Sequence, residues 1–444
     1  MTDRSGSLGF SPETFALRRE RALAALQGSV LVLPSAPLSF RSRDTETTYR
    51  ADSELFYLTG VVDPGTVAVL RAGGEGGDFV LFVRSRDDKE ERWSGERFGP
   101  EDAAQEFGAD AAYTVEALRE KLPELLAGAD SVYFRLGGET ELERLVVAAL
   151  RTARLRGTRK SVGPYGVVDP GRVLDEMRLL KSPEELETMR RAADITVDAF
   201  LEMLAGVRVG AGEWQLEAAI EGAFRRRGAT GPAFPTIVGS GLNACVLHYR
   251  DNARVICEHD LVLVDAGAEL NLYAADVTRT FPAAGRFSDE QRAVYEVVLA
   301  AHQSAIAAVR PGATVESVHD AARDALVEGL LSLDVLRGSR EGAIADESYE
   351  PFFPHQTSHW LGLDVHDVGD YRSGGSSLAL EPGMVMTVEP GLYFPRSLPD
   401  ETAYSGIGIR VEDDVVVTSD GHQVITERLP VSIDGIETLI GSDE

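Results

Sequence analysis

The residues with the greatest chemical potential lie in the second half of the chain, on two pairs of apolar strands that carry acids. LVLVDAG (261–267) and YAADVTRTF (273–281) flank a short polar turn, Glu269-Leu270-Asn271, and predict a β-hairpin bearing Asp265 and Asp276. Pairing symmetric about that turn sets the two aspartates directly opposite each other, with Cα atoms about 4.5–5.5 Å apart. Like charges so placed repel. Beside Leu261, Leu263 and Val264 an uncompensated carboxylate is costly, so a cation is implied. On the hairpin alone, a one-residue slip of the turn that sends one aspartate to solvent is an equally good reading.

GMVMTVEPG (383–391) and GIGIRVEDDVVV (406–417) repeat the theme, with Glu389 on one strand and Arg410 plus Glu412 on the other. Period-two alternation puts Arg410 and Glu412 on one face. VDAG and VEPG occupy the same place in each pair, which matches Asp265 with Glu389 and Asp276 with Glu412. Four carboxylates converging on one cleft are neutralised by two divalent ions. An imidazole is expected from PHQTSHWLGLDVHDVGD (354–370), where His355, His359 and His366 fall within twelve positions of a chain that has 8 histidines. A single histidine is most often a hydrogen-bonded core or surface residue; the clustering favours a site. An oxygen-rich set with one imidazole suits a harder transition metal, manganese first, then cobalt or zinc. His248, in LHYRD, precedes the first hairpin as the histidine segment precedes the second, and alone it reads as a loop residue.

These strands need helices to hold them. Ser182-Pro183-Glu184-Glu185 has the form of a capping box with proline at the first helical position. Leu186, Met189, Ala193, Val197, Phe200 and Leu204 then make one apolar stripe, closed by Gly206. Ser288-Asp289-Glu290-Gln291 opens a second such helix, expected to run to Pro311. VRVGAGEWQLEAAIEGAF from Val207 aligns with VRPGATVESVHDAARDAL from Val309, an offset of 102 positions. A duplicated helix–helix–strand unit places a ligand site between its copies.

The first part of the chain reads differently. Strands at 30–33, 66–70, 79–83 and 131–134 alternate with helices around 14–27 and 139–155, the pattern of an α/β domain. Turn signals at Gly163-Pro164 and Asp169-Pro170-Gly171 put the boundary near 175. Domains at 1–175 and 176–444 suit a chain of 444 residues with 43% hydrophobic content.

Composition excludes several partners. With 72 acidic against 44 basic residues the formal charge is −28, which repels nucleic acid and anionic membranes. The basic run Arg225-Arg226-Arg227 reads as charge at a helix C-terminus. Cys245 and Cys257 are too few for a disulfide framework, and the polar start MTDRSGSLGFSPETF has no apolar core of a leader, so a cytoplasmic location is expected.

Taken in order, TIVGSG with LHY (236–249), VLVDAG with ADVTRTFP (262–282), SHWLGLDVHDVG (358–369), TVEPGLY (387–393) and GIGIRVEDD (406–414) resemble the aminopeptidase P and prolidase family of pita-bread metallopeptidases. YRADSELFYLTG (49–60) and RWSGERFG (92–99) resemble its N-terminal domain, so the resemblance covers nearly the whole chain. It implies an α+β pita-bread catalytic domain with pseudo-two-fold repeat behind an N-terminal α/β domain for oligomerisation and substrate access. The implied reaction is hydrolysis of the N-terminal Xaa-Pro bond of peptides. The implied metal ligands are His359 and Glu389 at one ion and Asp265 at the other, with Asp276 and Glu412 bridging.

The resemblance further implies Glu389 as general base, His248 and His366 as donors to the carbonyl and its tetrahedral intermediate, His355 on the proline-side pocket and Arg410 orienting the carboxylates. Trp93 resembles a residue that in tetrameric relatives enters a neighbouring subunit's cleft; an ordinary surface tryptophan is the other reading. The chain departs from the family at Phe234, where tyrosine is frequent, and at Gln356-Thr357. A prolidase restricted to dipeptides would need a cation for the proline carboxylate, such as Arg372 or Arg396. An inert binding protein or a metal-free creatinase-like enzyme would lack part of the ligand set, which is complete here.

Overall fold

Strands whose two faces are both apolar require cover on both sides, and Val30–Pro34 and Phe79–Val83 are buried nearly throughout. The computed structural model describes residues 8–73, 78–138, 140–158, 162–396 and 402–440, and the chain divides into two units, Met1–Met177 and Arg178–Glu444. The first seven residues of the polar N-terminal stretch lie outside the described residues.

In the first unit β1 (Val30–Pro34), β2 (Val67–Arg71), β3 (Phe79–Val83), β4 (Ala111–Thr114), β5 (Ser131–Tyr133) and β6 (Gly166–Val168) form one mixed sheet in the order β4-β3-β2-β1-β5-β6. Helix α1 (Pro12–Leu26) starts at the cap Ser11, and α2 (Glu141–Gly157) at the cap Thr140. Val30, Val32, Val69, Phe82, Val132, Val146 and Ala149 share one core.

The second unit opens on α3 (Pro183–Leu204), where Ser182 and Glu185 form the reciprocal capping box. Met189, Ala193, Val197, Phe200 and Leu204 are buried along the stripe its spacing predicts. Gly206 is not a left-handed cap: the turn is closed instead through Ala205, and the Gly206 N–H donates to Met203 O. Helix α4 (Glu213–Arg226) follows. α5 (Asp289–Ala308) has its own capping box from Ser288 and Gln291, and α6 (Val315–Ser332) is capped by Thr314. α5 stops short of Pro311: Val309 is already extended at ψ 112°, and Pro311 then disfavours a return of Arg310 to the α region.

The internal repeat is visible in the backbone. Helices α4 and α6 start at Glu213 and Val315, the same 102-residue offset as in the sequence, and their caps Gly212 and Thr314 each form an isolated antiparallel bridge, to Val255 and Ala379. Each copy then delivers strands to one core. It runs through Phe200, Phe224, Val262, Phe281, Val298, Leu326, Leu392 and Ile409. Burying side chains of this size stabilises by about 1.5–3 kcal/mol each.

In the first copy β7 (Ile237–Ser240) and β9 (Val277–Pro282) flank β8 (Leu261–Ala266). In the second, β10 (Val385–Val388) pairs with β13 (Asp413–Thr418), and β11 (Gly391–Tyr393) with β12 (Gly408–Arg410). No helix among the described residues is long and apolar enough to cross a membrane. Both cysteines are free thiols.

Candidate metal centre

The first hairpin corrects the expected register. Its turn is Asn271-Leu272, both at positive φ (52° and 69°) as a type I′ turn requires, so Asp265 pairs with Thr278 and Asp276 lies diagonally from it. The slip is two residues, and because side chains alternate with period two, both aspartates keep the same face. At the second site the ladder continues from Val388↔Asp413 to Gly391↔Arg410, which sets Glu389 directly opposite Glu412. The strict matching of Asp276 with Glu412 therefore fails: by register, Thr278 holds the place in the first copy that Glu412 holds in the second.

The two hairpins meet through Thr278. Its carbonyl accepts from the Glu412 N–H (3.1 Å), and its hydroxyl donates to Glu412 Oε2 (2.6 Å) while accepting from Arg410 Nε (3.1 Å). The histidine segment docks as an extended strand on β10, bridging Trp360 to Met386, with Thr387 N donating to His359 O and Glu389 N to Thr357 O. The Thr387 hydroxyl accepts from His359 N (3.1 Å) and donates to Glu389 Oε1 (3.3 Å).

Asp276, His359 and Glu412 bring one donor atom each within 4.8 Å of one another. His359 Nε2 lies 3.5 Å from Asp276 Oδ2 and 3.4 Å from Glu389 Oε1. Its Nδ1 donates to Trp360 O (3.0 Å), which leaves Nε2 as the lone-pair nitrogen facing the carboxylates. Asp265 stands beside this group with Oδ2 held by Arg410 Nη2 at 2.6 Å and Oδ1 buried without a hydrogen-bond partner.

The electrostatics match a site built for cations. Burial, then Glu412, Asp265, Asp414 and Glu389, push Asp276 well above the ordinary carboxylate range. Burial, then Glu389 and Asp265, do the same to Glu412. Glu389 is raised by burial and Asp265, against the opposing pull of His359 and Arg410. Burial works against the Arg410 charge, but Tyr393, Asp265, Glu412 and Glu389 more than offset it, and its guanidinium stays charged. One guanidinium cannot neutralise four carboxylates. The donor set, the unpartnered Asp265 oxygen and the mutual repulsion all fit divalent metal at this place.

The remaining histidines take distinct positions. The His366 ring lies 4.4 Å from that of His359, edge-on at 77°, and burial together with His359 and His248 lowers its pKa. His355 is lowered to about 3, by burial first and then by Arg410. Its Nδ1 donates to Gln356 O (2.8 Å) and its Nε2 accepts from the Tyr393 hydroxyl (3.0 Å), which itself accepts from Arg410 Nη1 (2.9 Å). His248 is exposed, within electrostatic reach of His355 and His366. Phe234 is half-buried.

Sequence reading missed several supporting residues. Tyr393 sits two and four positions beyond Gly391 and Glu389, so period-two alternation alone could have placed it on their face. Asp414 accepts from the Asp276 N–H (3.2 Å), and Asp413 is buried against Arg279 Nη2 (2.8 Å) and His302 Nε2 (3.1 Å). His319, on α6, accepts through Nδ1 from the Thr357 N–H (3.3 Å) and lies 2.9 Å from its hydroxyl, bracing the histidine segment from behind. No local motif announces it.

Known proteins resemble this chain in sequence and in fold. Residues 187–419 match the family model of metallopeptidase family M24, and residues 15–133 that of the aminopeptidase P N-terminal domain. Xaa-Pro aminopeptidase of Escherichia coli K12 is 40% identical over 97% of this chain and 98% of its own. An aminopeptidase structure from Pseudomonas aeruginosa superposes with a TM-score of 0.94 at 41% identity, covering 98% of both chains. Zinc-substituted E. coli aminopeptidase P in complex with product gives 0.93 at 40% identity, over 98% of this chain and 99% of that one. Shared length, shared fold and the two family matches together place the chain in metallopeptidase family M24, among the Xaa-Pro aminopeptidases.

Proposed function

We propose that the cleft between the two hairpins hydrolyses the N-terminal Xaa-Pro bond of peptides with two divalent ions, releasing the first residue. The observation that carries this reading is the convergence of Asp276, His359 Nε2 and Glu412 beside the carboxylates of buried Asp265 and half-buried Glu389. His359 and Glu389 would hold one ion and Asp265 the other, with Asp276 and Glu412 shared, and manganese is preferred over cobalt or zinc for so oxygen-rich a set. Bound there, the ions supply Lewis acidity that acidifies water and stabilises oxyanion charge.

The chain's own groups do the rest. Glu389 takes the proton of the attacking water and delivers it to the proline nitrogen as the C–N bond breaks. His248 and His366, both exposed, donate to the carbonyl oxygen as charge grows on it. His355 has both ring nitrogens engaged, so it offers carbon edges to the proline ring and shapes that pocket. Arg410 orients Asp265 and, through Thr278, Glu412.

The same reading makes the protein a cytoplasmic homo-oligomer, dimer or tetramer, with no nucleic-acid or membrane partner. Its N-terminal domain would serve oligomerisation and access. Trp93, 91% exposed, is available to reach a neighbouring subunit. Manganese-loaded protein is expected to cleave Ala-Pro-Ala to alanine and Pro-Ala. Efficient cleavage of Ala-Pro with none of the tripeptide would replace the reading with a prolidase, and full activity in chelator would remove the metals from it.

A further inference from the structure

A fully buried glutamate organises the segment that carries His248. Glu213 opens α4 and is 0% exposed. Its Oε1 accepts from Ser240 N (2.7 Å), Ser240 Oγ (2.7 Å) and Asn243 Nδ2 (3.1 Å), and its Oε2 from the Tyr249 hydroxyl (3.0 Å) and Arg254 N (2.8 Å). A buried carboxylate costs several kcal/mol unless its lone pairs are filled, and here donors fill both oxygens. All of them come from one stretch, 240–254: its first residue, Asn243, the neighbour of His248, and its last residue.

The stretch is closed again on the strand side. Asn252 Oδ1 accepts from Val238 N and Asn252 Nδ2 donates to Thr236 O, both at 2.9 Å. Ser240 ends β7, whose Ile237 pairs with Asp265. One carboxylate thus ties the His248 segment to the strand adjoining a proposed metal ligand, while His248 itself stays exposed, its ring free for substrate.

We propose that Glu213 is a positioning residue for the reaction: it fixes the backbone on both sides of His248 and so sets where that imidazole meets the scissile carbonyl. The catalytic half of this statement rests on the role given to His248 above. Glu213→Gln keeps the shape but turns an amide N–H toward donors, and Tyr249→Phe removes a single donor beside His248.

Two measurements test it. In zinc-loaded protein, which is diamagnetic, the ring resonances of 13C-labelled histidine are assigned by His248→Ala. Both variants are expected to move the His248 resonance and leave that of buried His302 in place; an unmoved His248 in both overturns the proposal. In turnover of Ala-Pro-Ala, Glu213→Gln is expected to lower kcat about tenfold or more with KM and bound metal nearly unchanged. Added to His248→Ala it should cost less than about twofold further, since the two act as one unit. The same loss in both backgrounds would also overturn it. If His248→Ala turns over normally, the role of His248 falls, and the resonance shift still decides whether Glu213 positions it.

Discussion

Arg410 grips Asp265 through Nη2 and Oδ2 at 2.6 Å, so the buried guanidinium neutralises one of the four carboxylates between the hairpins. Removing one partner of a buried ion pair leaves the other uncompensated, at about 3–5 kcal/mol. Arg410→Met should therefore destabilise chelated protein by about that much. Divalent metal should recover part of the loss by replacing the missing charge. Thermal melting with and without chelator reads this: the gap between the two midpoints should widen in the variant. An equal gap would mean that Arg410 and the metals do not share the same charges.

Carboxylates raised by burial and by one another give chelated protein a specific pH dependence. Asp276, Glu389, Glu412 and Asp414 all titrate above their unfolded range in the folded chain. A group whose folded pKa is raised contributes its stability below the unfolded pKa, near 4, and loses it as pH rises through the folded value. Chelated protein should thus lose stability as pH climbs from about 4 toward neutrality. Metal-loaded protein should hold or gain over the same range, because metal binds the ionised forms. Melting midpoints collected across pH in both states check it, and parallel profiles would contradict it.

How much of this was legible in the sequence differs from residue to residue. Symmetric pairing about the turn put Asp265 and Asp276 on one face, as period-two alternation did for Arg410 and Glu412, and the first survived a two-residue error in register because parity is unchanged by an even slip. The error itself came from the turn. Leucine is not a residue that advertises positive φ, yet Leu272 adopts 69°. Braces such as His319 on Thr357 and Asp414 on the Asp276 amide were invisible for another reason: they join segments 38 and 138 positions apart, and only packing sets that proximity.

Replacing Glu389 by glutamine tests the proton path. The amide keeps the volume opposite Glu412 and can still accept from Thr387, so folding should survive. It cannot take a proton from water. Turnover of Ala-Pro-Ala should fall by about 10²–10⁴, the usual contribution of a positioned general base. Metal content should be measured alongside, since Glu389 is also a proposed ligand. Near-normal turnover with both ions bound would show that the base is another group.

Behind the proposed metal ligands, the Arg279 guanidinium is 1% exposed and reaches Asp413 Oδ1 (2.8 Å), Leu429 O (2.8 Å), Pro430 O (3.0 Å) and the Glu412 carbonyl. Burial disfavours the Asp413 carboxylate, but Arg279 and His302 more than reverse that and hold it ionised well below the ordinary range. The pair therefore fixes the backbone at Glu412 from inside the protein. Arg279→Met should destabilise by about 3–5 kcal/mol, because Asp413 is left charged and dry. Pairing it with Asp413→Asn should restore much of that stability, since neither charge then remains to be compensated. Turnover should not return with it, because the donor that orients the Glu412 carbonyl is still missing. Denaturant unfolding and kcat measured on the two single variants and the double variant separate these effects; recovery of both together would make the pair a stabilising element alone.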